Sequence, residues 1–332
     1  MTKGLVTLFG GSGFIGRYAA RQLVKAGWQV RVACRRPGAA GDVRLAGAPG
    51  WVDIVQANVR NRASIARALE GADAVVNLVG IMHEGGRQSF EASQAQGSKN
   101  VAELAAEAGI TRFVQVSAIG ADANSKAKYA RTKAEAEDAV RAAIPSAVIL
   151  RPSIVFGPED KFFNRFASMT RFSLALPAIG GGKTKFQPVY AGDVADAVAA
   201  AVDHDDAAGK TYELGGPGIY SLNEIYDFIL ETVGRRRFKV PWPFFLAKPM
   251  GFILGAIFRY IPPIRWIFRW IFGGPPMTGG QVELLKVDNV VSEDALGLAD
   301  LGVTSPESIE AVVPSYLWRH RPYGEFSEPG KA

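Results

Sequence analysis

The 332-residue chain carries one cysteine and three histidines, and that scarcity removes two classes of protein at once. Cys34 has no partner for an internal disulfide, which suits a reducing compartment rather than a disulfide-built secreted domain. His83, His204 and His320 are too widely spaced to make a metal-ligand pattern, so no metal site is expected. A charge excess is also missing. Lys and Arg number 38 against 32 Asp and Glu, a formal balance of +6, with no basic motif of the kind that binds nucleic acid. No room for a targeting peptide is expected ahead of Leu5–Phe9, which already reads as a strand. What remains is an ordinary globular composition, 48% hydrophobic and 21% charged, on a chain long enough to bury a large core.

The first half has a clear rhythm. Short apolar runs at Leu5 to Phe9, Val30 to Cys34, Val52 to Gln56, Ala74 to Val79, Phe113 to Ser117 and Ala147 to Leu150 alternate with alanine-rich stretches of helical period. Repeated strand–helix–strand units of this kind make a parallel sheet covered on both faces, so the expected class is α/β, a Rossmann-type doubly wound sheet. At its first strand end stands TLFGGSGFIG, with Gly10, Gly13 and Gly16 ahead of an expected helix Phe14 to Ala26. A tight turn, a close backbone approach to a pyrophosphate and a helix packed directly on its strand each need a residue without Cβ. The helix N-terminus then offers free N–H groups and the positive end of its dipole to the phosphates. A dinucleotide is therefore expected here.

The next strand end selects among dinucleotides. Where an NAD site commonly places a carboxylate for the ribose 2′-hydroxyl, this chain has Cys34-Arg35-Arg36. Guanidinium pairs bidentately with phosphate oxygens, so a 2′-phosphate, and hence NADPH, is expected over NADH; a solvated surface pair is the alternative. Further along, YARTK places Tyr129 and Lys133 four residues apart on one helical face. An ammonium beside a phenol favours the phenolate, which can exchange a proton with a carbonyl at a nicotinamide.

After Pro152 the rhythm weakens. Gly180 to Gly182 reads as a flexible turn, Val189 to Val202 as a segment returning to the nucleotide domain, and Leu222 to Val233 as a helix. The expected division is a nucleotide-binding domain over residues 1–150, with 189–212 returning to it, and a smaller α/β appendage over 151–332. Within that appendage residues 235–277 contain no acid, eight Lys or Arg and many aromatics. Their longest charge-free run, Pro249 to Phe258, is 10 residues, about half of the ~20 a spanning helix needs. If Ile264 to Phe272 is helical, Arg265 and Arg269 share one edge while Trp266, Ile267, Trp270 and Ile271 cover most of the rest. Such a segment suits the headgroup layer of a membrane or the face of a membrane subunit.

Together GGSGFIG, NLVG at Asn77 to Gly80, VSAIGA, Y-x-x-x-K and LRPSIVFGPED resemble the extended and atypical short-chain dehydrogenases/reductases. That resemblance implies Tyr129 as acid/base, Lys133 as its partner, and a serine after the fifth strand. Ser117 stands at the strand end, but Ala118 and Ile119 occupy the positions where many active relatives carry the serine. Turnover is therefore not expected, and Tyr129, Lys133 and Ser117 remain residual catalytic candidates. The implied cofactor contacts are Gly10, Gly11, Ser12, Gly13, Phe14, Ile15 and Gly16, then Arg35, Arg36, Asn58, Leu78, Val79, Gly80, Ser117, Tyr129, Lys133 and Pro152.

The FGPED segment and the tail from QVELLK to YLWR make the chain similar, over its whole length, to the NADPH-binding accessory subunits of respiratory complex I in their alphaproteobacterial form. The resemblance implies a non-catalytic subunit with structural NADPH. Its implied partners are complex I core subunits at the junction of the peripheral and membrane arms, together with membrane lipid headgroups. Its implied location is the cytoplasmic face of a bacterial inner membrane. A membrane-associated NADPH-dependent reductase or epimerase using Tyr129 and Lys133 is the alternative, and a sensor of cofactor oxidation state a third possibility.

Overall fold

The computed structural model describes residues 2–85, 88–260 and 278–326, with the side chains of 254–260 and 325 outside the description. The helix expected over Ile264 to Phe272 lies outside the described residues. Two compact units are present.

The first unit comprises Met1–Pro152, Ala191–Gly215 and Val291–Pro306. Its elements are β1 (Leu5–Phe9), α1 (Phe14–Lys25), β2 (Gln29–Cys34), β3 (Val52–Gln56), α2 (Arg62–Leu69), β4 (Ala74–Asn77), α3 (Gln96–Glu107), β5 (Arg112–Val116), α4 (Lys128–Ala143), β6 (Val148–Pro152), α5 (Ala191–Asp203) and β7 (Thr211–Leu214). Among the described residues these seven strands form one sheet in the order β7-β6-β5-β4-β1-β2-β3, and every pairing in it is parallel. The order reverses between β1 and β4, which opens a crevice at the carboxyl ends of the strands.

Both faces of the sheet are covered. On one, Ile65 of α2, Val101 and Ala105 of α3 and Val140 of α4 bury against Phe9, Val75, Phe113 and Ile149. On the other, α1 packs on α5, whose alanines and valines are almost all buried. Burying both faces explains why the strands read as unbroken apolar runs instead of alternating ones.

β4 stops at Asn77, two residues short of the end expected from its apolar run. The reason is local. The Asn77 Oδ1 accepts from the Val79 backbone N–H at 3.2 Å and turns the chain out of the ladder. Its amide nitrogen meanwhile donates to Ser98 Oγ at 3.0 Å and Gln115 Oε1 at 2.9 Å, so a fully buried polar side chain is satisfied on every side.

Val291–Pro306, which the expected division leaves in the C-terminal part, packs with the first unit. Its attachment is polar. Ser292 N–H donates to Glu213 Oε2 at 2.9 Å, and Glu213 N–H donates to Leu296 O at 2.8 Å. Glu213 also lies 3.6 Å from Arg151, whose guanidinium makes a two-point contact with buried Glu137 at 3.0 and 2.7 Å. One guanidinium thus ties α4, β6 and β7 together.

The second unit comprises Ser153–Tyr190, Gly216–Val290 and Glu307–Ala332. Its core gathers Phe156, Phe163, Leu176, Phe186, Ile225, Tyr226, Ile309, Val313 and Leu317. Strand Phe238–Trp242 pairs in parallel with Ala175–Ile179, and helix Phe244–Tyr260 follows. No described helix is long and apolar enough to cross a membrane.

The Glu137–Arg151 pair yields a stability prediction. Glu137→Ala should cost about 2 kcal/mol, below the full penalty for breaking a buried pair because Arg151 keeps some access to water. Adding Arg151→Met should recover part of that loss in chemical denaturation. A double mutant that loses the two single effects in full would show that the pair does not couple.

Candidate functional site

All strands of the sheet run the same way, so their carboxyl ends share one edge. The loop after β1 begins it. Gly10 sits at φ +82, a left-handed conformation that costs other residues but not glycine, and its backbone N–H donates to Ala33 O at 3.2 Å. Gly16 is constrained by contact instead. A Cβ there would overlap the Gly10 carbonyl oxygen and lie 2.6 Å from Gly11 Cα, so α1 can rest on its own loop only with glycine at this point.

Gly13 is the N-cap of α1, and no side chain caps the helix. No acidic residue stands in its first turn. The N–H groups that a helix leaves unpaired at its start therefore face the loop without a protein acceptor from a capping side chain, an arrangement that favours an anion. Ser12, Phe14 and Ile15 occupy this same loop and first turn.

The neighbouring strand ends complete the edge. Leu78 N–H donates to Phe9 O at 2.9 Å, which lays Leu78, Val79 and Gly80 beside the glycine loop. Next along, Ser117 follows β5 and Pro152 closes β6; Ser117 N–H donates to Leu150 O at 2.7 Å and Ile119 N–H to Pro152 O at 3.0 Å. Ser117 Oγ is buried with no hydrogen-bond partner. A buried hydroxyl left unpaired is uncommon and marks a place where a ligand atom can bond.

Lys133 enters from α4. It is 5% exposed, its Nζ donates to Val116 O at 3.2 Å, and it stands 3.5 Å from where a Cβ on Gly80 would lie. Burial pushes its ammonium from 10.5 down to about 8, against the opposing pull of Glu137. Tyr129, packed edge-on against Phe90 with ring centroids 5.8 Å apart, is pushed up to about 12 by burial. The two side chains share a helix face, but no hydrogen bond joins them among the described residues. Burial thus opposes the phenolate expected from their spacing.

At the far end of the edge a pocket of about 300 Å³ opens beyond β2 and β3. Arg35 and Asn58 line it; Arg36, the other arginine expected at this point, does not. Gln56, Asn61, Ser64 and Arg67, which the sequence reading did not single out, do. For the last three a signal existed in the spacing. Asn58, Asn61, Ser64 and Arg67 recur every three residues from the end of β3 into α2, so one side of that turn faces one space. Asn61 caps α2 by accepting from Ser64 N–H at 3.1 Å, and Ser64 Oγ accepts from Asn58 N–H at 3.0 Å.

The uncapped helix, the glycine contacts and the unpaired Ser117 hydroxyl all fit a dinucleotide laid along this edge. The electrostatics add a test. Between pH 8 and 10.5 the unfolded chain binds more protons at Lys133 than the folded one, so folding is handicapped at neutral pH and relieved as pH rises through that window. Ligand-free Lys133→Met should melt a few degrees above the parent at pH 7 and lose that advantage toward pH 9.5, as followed by thermal denaturation. An advantage that stays constant with pH would refute the assignment.

Comparison with known proteins agrees with this fold. The model of the NAD dependent epimerase/dehydratase family matches residues 6–215. The mitochondrial NADH dehydrogenase (ubiquinone) 1 alpha subcomplex subunit 9 of Arabidopsis thaliana is 35% identical over 326 residues, 96% of this chain and 79% of that protein. The Rattus norvegicus protein of the same name is also 35% identical over 326 residues, covering 96% and 81%. Among solved structures, a nucleoside-diphosphate-sugar epimerase from Staphylococcus aureus superposes with a TM-score of 0.68 at 18% identity, over 94% of this chain and 99% of that one. The chain belongs to the NAD-dependent epimerase/dehydratase family and, within it, to the group of complex I accessory subunits typified by alpha subcomplex subunit 9.

Proposed function

We propose that this chain is a non-catalytic accessory subunit of a bacterial respiratory complex I that holds NADPH as a structural ligand. It stabilises the junction of the peripheral and membrane arms from the cytoplasmic face of the inner membrane. The observation that carries this reading is the full-length likeness to complex I subunits joined to a phosphate-ready edge on the sheet.

The roles divide along that edge. The loop Gly10 to Gly16 and the start of α1 receive the pyrophosphate through backbone N–H groups. Arg35 and Asn58 line the pocket where the adenosine end and its 2′-phosphate would bind. Leu78 to Gly80, Ser117, Tyr129, Lys133 and Pro152 form the nicotinamide side, with Lys133 as a donor to the ribose and Ser117 Oγ free to take a bond. When bound, the reduced nicotinamide supplies a hydride-bearing ring.

Two features support storage over turnover: Tyr129 and Lys133 share no hydrogen bond among the described residues, and apolar Ala118 and Ile119 follow Ser117. An apolar side chain cannot polarise a substrate carbonyl. Attachment to the host is supported by the acid-free stretch from Thr232 to Val282, in whose described part Phe238, Phe245 and Phe252 are more than two-thirds exposed. Aromatics beside Arg235, Arg236, Arg237 and Lys248 suit lipid headgroups or a membrane subunit.

The test is nucleotide extraction from the detergent-solubilised complex. One NADPH per complex should be recovered, still reduced after sustained NADH-to-quinone turnover. Absence of this chain from the complex would overturn the assignment, and oxidation of the bound NADPH that Tyr129→Phe abolishes would establish a reductase instead.

A further inference from the structure

The pocket beyond β2 and β3 assigns its cations differently from the chain order. Arg35 and Arg36 are neighbours in sequence, but a strand end followed at once by the short turn Pro37–Ala39 sends successive side chains different ways, and only Arg35 lines the pocket. Its second guanidinium comes from Arg67, on α2.

The Asn58, Asn61 and Ser64 side chains are already engaged. Asn61 Oδ1 is spent on the cap of α2, and Ser64 Oγ accepts from Asn58 N–H while donating to the backbone carbonyls of Asn58 or Asn61. Asn58 Oδ1 accepts from the Arg60 backbone N–H at 3.1 Å. These bonds hold the turn between β3 and α2 in shape and leave little for a ligand. Arg62, at the other end of the same helix, is committed to Glu103 and Glu107 at 2.5 and 2.8 Å. Arg67 is exposed and makes no ion pair or hydrogen bond among the described residues. No Asp or Glu lines the pocket, so two positive groups meet there with nothing to neutralise them. Like charges brought to one concave space are costly unless an anion joins them.

We propose that Arg67 is the second arm of a phosphomonoester clamp with Arg35, gripping the 2′-phosphate on the adenosine ribose and making α2, rather than Arg36, the determinant of NADPH over NADH. This rests on the nucleotide reading above and names a residue that reading does not contain. Two guanidiniums approaching from different elements can each give a charge-assisted bond to one phosphate. Two adjacent on one strand end would have to bend back to do so.

Binding of NADPH, NADH, 2′,5′-ADP and 5′-ADP to the full chain in detergent, by calorimetry, separates the possibilities. Arg67→Gln should weaken NADPH and 2′,5′-ADP about tenfold or more, the scale of one charge-assisted hydrogen bond, while NADH and 5′-ADP change less than about twofold. Arg36→Gln should leave all four within about twofold. The salt dependence of 2′,5′-ADP binding should also flatten in Arg67→Gln. Because Arg67 is exposed and unpaired, the ligand-free melting temperature should not move, which guards against misfolding as the cause. Loss of NADPH affinity in Arg36→Gln but not Arg67→Gln overturns the clamp and leaves the nucleotide site standing. Weakening of all four ligands alike by Arg67→Gln also overturns it, since the residue would then not read the phosphate. A parent chain that binds none of the four defeats the underlying reading instead.

Discussion

The contact of α1 with its own entry loop governs the rest of the first unit. Because Gly16 has no Cβ, the helix settles on Gly10 and Gly11, and its first turn is presented at the carboxyl edge of the sheet with no capping side chain. That placement also sets the loop beside Leu78 to Gly80, which the buried Asn77 side chain holds in turn. A larger residue at 16 would lift the helix and with it every backbone donor aimed at the edge. The phosphate end of the site is therefore a consequence of backbone packing more than of side-chain chemistry.

At the other end of the edge, burial decides the chemistry. Lys133 and Tyr129 have the spacing of a proton-exchanging pair, yet each is pushed toward its neutral form by the loss of water around it. The lysine accepts a folding cost and the serine hydroxyl goes unpaired, which are the marks of a site kept for a ligand at the expense of stability.

Much of this was legible in the sequence because it depends on period and on local sterics. The six strands from Leu5 to Pro152 follow from apolar runs between alanine-rich helices, and the glycine loop from its place at the first strand end. What could not be read depends on partners distant in sequence. The burial of the Asn77 amide is satisfied by partners 21 and 38 residues away, and the return of Val291–Pro306 depends on a glutamate 79 residues before Ser292. The three-residue spacing marks Arg67 as a neighbour of Asn58, Asn61 and Ser64, but its place in one pocket with Arg35, after β2, depends on the fold. The neutral state of Tyr129 was hidden too: spacing on a helix reports which residues are neighbours, whereas burial fixes which ionisation state they adopt. The aromatic segment at Ile264 to Phe272 is beyond the described residues, and its role rests on composition.

The central claim, that the edge formed by the glycine loop and its neighbours is a nucleotide seat, is tested most directly by amide hydrogen exchange of the full chain with and without saturating NADPH. The account predicts new protection confined to residues 10–17, 34–36, 78–81, 117–119 and 129–133 and to the turn entering α2, with the remainder of the sheet unchanged. Unaltered exchange across residues 10–17 at saturating nucleotide, or protection appearing only in the second unit, would contradict it.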